Sequence, residues 1–301
     1  MTNHSIGIIG LGCIGSYICH LLDNDSTHVY TRDGIPRHSP DIIVDNQTTP
    51  LRAQIKQISA LTLQAIDLLI IPVKSYQNAA LIAQLKHTLP DSTAMLILQN
   101  GIAGLDDFCL ALPDHTIYWG ISTDGLFRNT DGYVELAGNG HLLIGNIQRG
   151  KNAVNGEHAI QKIISQHPHG QWTKNIRPNI YKKLLVNSVI NPLTFIYECK
   201  NGELITYHDT CTQIIQEVLN VFRCENIDFS DAEWSQAVYD VITTTAENTS
   251  SMLQDKLSKK PTEIDAILRP LIKKAALYEV ETPIMQQLYI RIKQQEATYL
   301  T

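Results

Sequence analysis

The sequence predicts an α/β domain built on a parallel sheet over residues 1–174, followed by an all-α domain over residues 175–301. Three observations predict it. Short apolar runs alternate with segments of helical period through the first part. Glycine is frequent up to Gly170 and almost absent beyond it, where every long segment has helical period. The first apolar run, Ser5-Ile6-Gly7-Ile8-Ile9, passes directly into Gly10-Leu11-Gly12-Cys13-Ile14-Gly15 and then into a helical pattern through Leu22.

That order of strand, G-x-G-x-x-G and helix is the fingerprint of a Rossmann-type dinucleotide-binding domain. Gly10 permits the tight turn, Gly12 lets the backbone approach a diphosphate, and Gly15 lets helix pack on strand, while the helix N-terminus attracts the anion. The next strand is His28-Val29-Tyr30-Thr31-Arg32. Asp or Glu at its end would take the ribose 2′-hydroxyl of NAD; Arg32 stands there, with Arg37 nearby, and favours the 2′-phosphate of NADP(H) by charge and fork geometry. Asp33, just after it, keeps NAD open. A third run, Ala65 to Val73, ends at Lys74, where a lysine either reaches a phosphate or is a solvated loop residue. Ala94 to Leu98 is the next strand, and Gln99-Asn100-Gly101 follows; Asn100 holds the nicotinamide or substrate side, or is a turn asparagine beside a glycine. From Ile117 to Ile147, glycine-punctuated β-like pieces are expected to finish the sheet and wall the cleft. Arg149-Gly150-Lys151-Asn152 reads as a surface loop, and a helix from Glu157 to Ser165 and a strand near Trp172 close the domain.

In the second domain, Lys183, Asn187 and Asn191 are four apart each time. On a helix they form one polar stripe drifting by about 40° per step. Leu184, Leu185, Val189 and Ile190 cover the other sides. Either the stripe faces water, or it faces a cavity in which a ligand's oxygens are its partners. Pro192 is expected to end or kink this helix. Further helices are expected over Asp209 to Arg223 and over Ala232 to Leu257, the latter carrying Asn248, Ser251 and Asp255 on one face. Thr262 and Asp265 are spaced like a capping box with Glu263 in the first turn, and a last helix follows Pro283.

Length and 44% hydrophobic composition allow proper cores. A net charge of −6 without any basic cluster argues against a nucleic-acid or anionic-membrane surface, so small-molecule partners are expected. The six cysteines are scattered with no C-x-x-C, which points to reduced thiols and a cytoplasmic protein rather than a disulfide frame or a metal site. No signal peptide and no membrane span are expected, since the apolar run Ile6 to Ile14 is short and broken by glycines.

With those residues in hand, the chain resembles the ketopantoate reductase (2-dehydropantoate 2-reductase) family over essentially its whole length. The likeness lies in Gly10 to Gly15, Val73-Lys74, Gln99-Asn100-Gly101, the run Lys182-Lys183-Leu184-Leu185-Val186-Asn187-Ser188-Val189-Ile190-Asn191-Pro192-Leu193-Thr194, Asn201-Gly202-Glu203-Leu204, Glu247 to Asp255, and Thr262-Glu263-Ile264-Asp265. The resemblance implies NADPH-dependent reduction of ketopantoate to pantoate in pantothenate biosynthesis, by a monomer or homodimer, with the site in the cleft between the domains. It implies that Lys183 is the general acid and a substrate ligand. By the same resemblance Asn100, Asn187, Asn191, Asn201 and Ser251 contact the substrate. Gly10, Leu11, Gly12, Cys13, Ile14, Gly15, Arg32, Lys74, Asn100 and Leu126 contact the cofactor, and Glu263 sits beside the cofactor ribose or substrate as a second catalytic residue. The chain departs from the family at Ile121-Ser122-Thr123-Asp124-Gly125-Leu126, where Asp124 is expected as a charge beside the nicotinamide end. A reductase of another small 2-oxo acid on the same frame, or a non-catalytic NADPH-binding sensor, are the alternatives.

Overall fold

The computed structural model describes residues 5–22, 27–35, 41–59, 63, 66–150 and 154–300. The chain divides into two compact units, Met1–Gln99 with Leu105–Ile176, and Asn100–Gly104 with Arg177–Thr301. The strands of the first are β1 (Ile6–Ile9), β2 (Thr27–Thr31), β3 (Ile42–Val44), β4 (Gln47–Thr49), β5 (Gln54–Gln57), β6 (Leu68–Ile71), β7 (Ala94–Ile97), β8 (Ile117–Ser122), β9 (Gly125–Arg128), β10 (Val134–Gly138), β11 (Leu142–Gln148) and β12 (Gly170–Thr173). Its helices are α1 (Cys13–Leu21), α2 (Asn78–Thr88), α3 (Ala103–Ala111, whose first two residues belong with the second unit) and α4 (Val154–Gln166).

Eight strands form one sheet in the order β12-β11-β8-β7-β6-β1-β2-β5, parallel from β8 through β5, with β11 antiparallel to β8. Every residue of β1, β6 and β7 is buried, as a parallel sheet covered on both faces requires. The chain leaves β1 toward β2 and later returns to the other side of β1 as β6. Strand order therefore reverses at β1, and such a switch point opens a crevice at the carboxyl ends of its strands. Ile6, Ile8, Leu68, Ile70 and Leu96 pack there with Ile18 of α1 and Ile160 and Ile163 of α4.

The expectation that Ile117 to Ile147 finishes the main sheet is half corrected. β8 and β11 do so, but β9 and β10 join β3 and β4 in a separate four-stranded sheet, ordered β4-β3-β10-β9. Leu126, Leu136 and Val134 of that sheet pack against Tyr17 and Cys13 of α1. The pairing of β3 with β10 joins segments far apart in the chain, and β4 is a short polar strand, so neither leaves a periodic apolar signal.

The second unit is helical: α5 (Arg177–Tyr197), a 3-10 segment (Asn201–Tyr207), α6 (His208–Cys224), α7 (Asp231–Thr244), α8 (Ser251–Leu257), α9 (Ile264–Leu277) and α10 (Pro283–Tyr299). α5 is its centre and packs against each of the other five helices. Pro192 does not end α5, which continues to Tyr197. An interior proline costs about 3 kcal/mol. Leu193 and Phe195 beyond it are fully buried, and each such side chain is worth about 1.5–3 kcal/mol, enough to offset the proline.

The long helix expected over Ala232 to Leu257 is also corrected: it breaks after Thr244 and restarts at Ser251. The side chains of Thr243, Thr244 and Thr245 bond back to the carbonyls of Tyr239, Asp240 and Val241, which disfavours continuation, and the Ser250 hydroxyl caps the new helix by accepting from Leu253 N–H. Among the described residues, no helix is long and apolar enough to cross a membrane.

Candidate active site

The glycine turn of the first unit sits at the switch point. Gly10 has φ +82°, a left-handed value that glycine adopts without strain. A Cβ on Gly15 would collide with the Gly10 carbonyl oxygen, whereas one on Gly12 would meet nothing within 4 Å. Gly15 is therefore needed for packing, and Gly12 faces open space. α1 begins at Cys13 with no side-chain cap and no acidic residue in its first turn, which suits an incoming anion. Leu11 is buried, and Ile14 is half-buried against the core. This arrangement fits a dinucleotide diphosphate.

Arg32 is the first residue after β2, and its side chain is exposed. The Asp33 Oδ1 accepts from Ile35 N–H at 3.3 Å across a turn whose Gly34 has φ +75°. That carboxylate closes its own turn; Arg37 lies outside the described residues. Lys74 follows β6 and opens the 3-10 turn Ser75–Gln77, half-buried beside the strand that flanks β1. Leu126 lies on β9 with its side chain in the small cluster against α1.

Asp124, expected as a charge beside the nicotinamide end, is engaged inside the first unit. Its carboxylate and the His167 ring are both 1% exposed, with Nε2 3.1 Å from Oδ2. His169 N–H donates to His167 Nδ1, so Nε2 carries the proton given to Asp124. The Ser122 hydroxyl and the Gly140 N–H donate to the same carboxylate at 2.7 and 2.9 Å. Burial first, then the Asp124 charge, push neighbouring Tyr17 up to about 12. This is an internal clasp of the first unit. Apart from Ser122, its partners lie 16 and 43 positions away along the chain, beyond the reach of local patterns.

In the second unit, α5 carries the polar stripe beside apolar, buried residues, with Lys182 at the surface. Leu184, Leu185, Val189 and Ile190 are no more than 3% exposed, Lys183 and Asn187 are half-buried, and Asn191 is 6% exposed. The carboxamides of Asn187 and Asn191 have no partner among the described residues, so a stripe this close to the core needs a ligand or water to satisfy it. Asn201 is 7% exposed and is held by its N–H to the Asn248 carbonyl. Its Nδ2 donates to Thr245 Oγ1 at 2.9 Å, and that hydroxyl spends its own proton on the Val241 carbonyl. The Asn201 Oδ1 is thereby fixed as an acceptor, and it is buried without a partner. A ligand hydroxyl is the complementary group.

Asn100 Nδ2 donates to Glu263 Oε2 at 3.0 Å, joining two predicted residues that are 163 positions apart. Gly101 at φ +75° lets this segment lie against the first turn of α9, where any Cβ would strike the Ala266 carbonyl. Glu263 is 5% exposed and is the N-cap position of α9. The expected capping box is corrected: Thr262 Oγ1 accepts from Ile264 N–H, while Asp265 turns to Tyr289 and Lys293. Ser251 is exposed at the first turn of α8. Sequence reasoning missed Thr245, which orients Asn201, and Arg128, whose guanidinium meets the glycine turn; neither stands in a motif.

Residues 6–149 match the family model described as ketopantoate reductase PanE/ApbA, and residues 175–296 match the model of its C-terminal part. A 2-dehydropantoate 2-reductase of Escherichia coli O157:H7 is 33% identical over 235 residues, 77% of this chain and 75% of that protein. One from Vibrio cholerae serotype O1 is 29% identical over 301 residues, 98% and 99% of the two chains. Among solved structures, a probable 2-dehydropantoate 2-reductase from Bacillus subtilis is 27% identical with a TM-score of 0.75, covering 97% of this chain and 99% of that one. A ternary complex of D-mandelate dehydrogenase with NADH and anilino(oxo)acetate, at 24% identity and a TM-score of 0.85, covers 99% and 100% and shares the fold.

Proposed function

The chain belongs to the ketopantoate reductase family, and from that premise we propose that it reduces 2-dehydropantoate to pantoate with NADPH, Lys183 acting as general acid. The observation that carries the residue assignment is the Lys183–Asn187–Asn191 face of α5, polar beside side chains that are buried in the core. Bound NADPH supplies the hydride for the C2 carbonyl carbon. As that bond forms, the carbonyl π pair moves onto oxygen, and Lys183 meets the growing charge and donates a proton to it, leaving a neutral amine that solvent reprotonates. General-acid help of this kind is typically worth about 10²–10⁴ in rate.

The remaining residues hold the substrate. Asn187, Asn191 and Ser251 fix its carboxylate and hydroxyl, the Asn201 Oδ1 accepts from the hydroxyl, and Asn100, oriented by Glu263, faces both ligands. Glu263 joins Lys183 in the catalytic set. The first unit holds the cofactor through the Gly10 to Gly15 turn, Arg32, Lys74 and the backbone near Leu126. No disulfide joins any of the six cysteines, in keeping with a cytoplasmic enzyme, which we take to work as a monomer or homodimer.

Purified protein is expected to consume NADPH with ketopantoate, and to be much slower with pyruvate or 2-oxobutyrate, which lack the hydroxyl that Asn201 accepts from. No consumption above background from folded protein would reject the reading; equal rates on all three would leave a reductase of small 2-oxo acids without this specificity.

A further inference from the structure

Arg128, at the end of β9, places one Nη on the Gly132 carbonyl of its own hairpin and the other on the Leu11 carbonyl at 2.8 Å, 117 positions upstream. Leu11 precedes Gly12, the glycine that faces open space. In a trans peptide the C=O and N–H point in opposite directions, and the described residues contain no cis peptide. Holding the Leu11 oxygen therefore aims the Gly12 N–H away from Arg128. That N–H has no acceptor among the described residues, and no atom stands within 4 Å of where a Gly12 Cβ would be. The guanidinium is half-buried, so its positive charge acts beside the turn under weak screening.

From this geometry we propose that Arg128 is a positioning residue for the cofactor's diphosphate: it locks the Leu11–Gly12 peptide with the Gly12 N–H presented to a phosphate oxygen, and adds a fixed positive charge behind the turn. The inference rests on the reading of the first unit as the NADPH site. It gives β9 and β10 a task beyond covering α1, since their hairpin delivers the strap.

The test is NADPH titration without substrate, by calorimetry, on wild type, Arg128→Met and Arg128→Lys, with adenosine 2′-monophosphate as the comparator. That nucleotide carries the 2′-phosphate but no diphosphate. Arg128→Met is expected to bind NADPH about 10–100-fold more weakly, the range for losing a charge-assisted contact. Its affinity for adenosine 2′-monophosphate should stay within about twofold of wild type, well under one tenfold step of binding energy. Arg128→Lys, which keeps the charge and one donor, should fall between. Unchanged NADPH affinity in Arg128→Met would overturn the proposal, and so would equal losses for both ligands, which would make Arg128 a brace of the fold alone. Wild type that fails to bind NADPH would overturn the functional reading as well.

Discussion

Arg32 stands exposed one residue past β2, and neighbouring Asp33 is engaged in its own turn. Charge-assisted bonds to a phosphate are worth about 1.5–3 kcal/mol, so Arg32→Ala should weaken NADPH by about 10–100-fold and hardly change NADH. Equal losses for the two cofactors would remove Arg32 from the 2′-phosphate. At this scale, the legible residues were those whose neighbours in sequence are also their context. The glycines of the turn each answer a local backbone demand, and Lys183, Asn187 and Asn191 share a face because a helix repeats every 3.6 residues. Asp124 and Arg128 were opaque for the opposite reason. The bonds from His167 and Gly140 to the Asp124 carboxylate come from far along the chain, so its place in an internal clasp leaves no local signal.

At the scale of elements, α5 was legible as a helix, with Pro192 expected to end or kink it; what decides that it does not end there is burial against other helices, which no local pattern carries. The break between α7 and α8 could have been read from Asn248-Thr249-Ser250-Ser251, a run rich in N-cap residues, but apolar periodicity overrode it. Ser250 holds this junction twice, capping α8 and lying 2.6 Å from the Thr194 hydroxyl of α5. Ser250→Ala should therefore cost about 1–2 kcal/mol, a lost cap plus a buried hydroxyl left without its partner. Its Michaelis constant for ketopantoate should rise, since Ser251 follows directly. Thermal unfolding and steady-state kinetics on the same sample check both, and a variant with wild-type stability would show that the cap carries no weight.

Across the whole molecule, the division into an α/β part and a helical part was legible from composition and period, while the excursion of Asn100–Gly104 into the second unit was not, because it is made by packing on Ala266. The helical unit also carries two carboxylates whose environment ties stability to pH. Burial alone would raise Glu225, but hydrogen bonds from Lys274, Tyr278 and Tyr181 hold it below its ordinary value; Asp265 is held down likewise by Tyr289 and Lys293 against its burial. A depressed folded value means stability that is present above the unfolded carboxylate range, about pH 4, and lost as pH falls through the folded value. The helical signal should melt at a steady temperature above about pH 5 and at falling temperature below about pH 4, with Glu225→Gln showing a shallower fall. An acid dependence identical in that variant would exclude Glu225 as a source.

Of two adjacent lysines on α5, the proposed chemistry needs Lys183 and not Lys182. Lys182 pairs with Glu233 at the surface, 2.8 Å away, a contact worth about 0–1 kcal/mol. Lys183 is the one on the face of Asn187 and Asn191. The most direct measurement is turnover of ketopantoate at saturating NADPH by Lys183→Ala and Lys182→Ala, with NADPH affinity determined for each. Lys183→Ala should lose about 10² or more in kcat with cofactor affinity nearly unchanged, and Lys182→Ala should keep near wild-type rates. A Lys183→Ala enzyme with wild-type kcat and only a raised Michaelis constant, or a dead Lys182→Ala, would rule out Lys183 as the general acid.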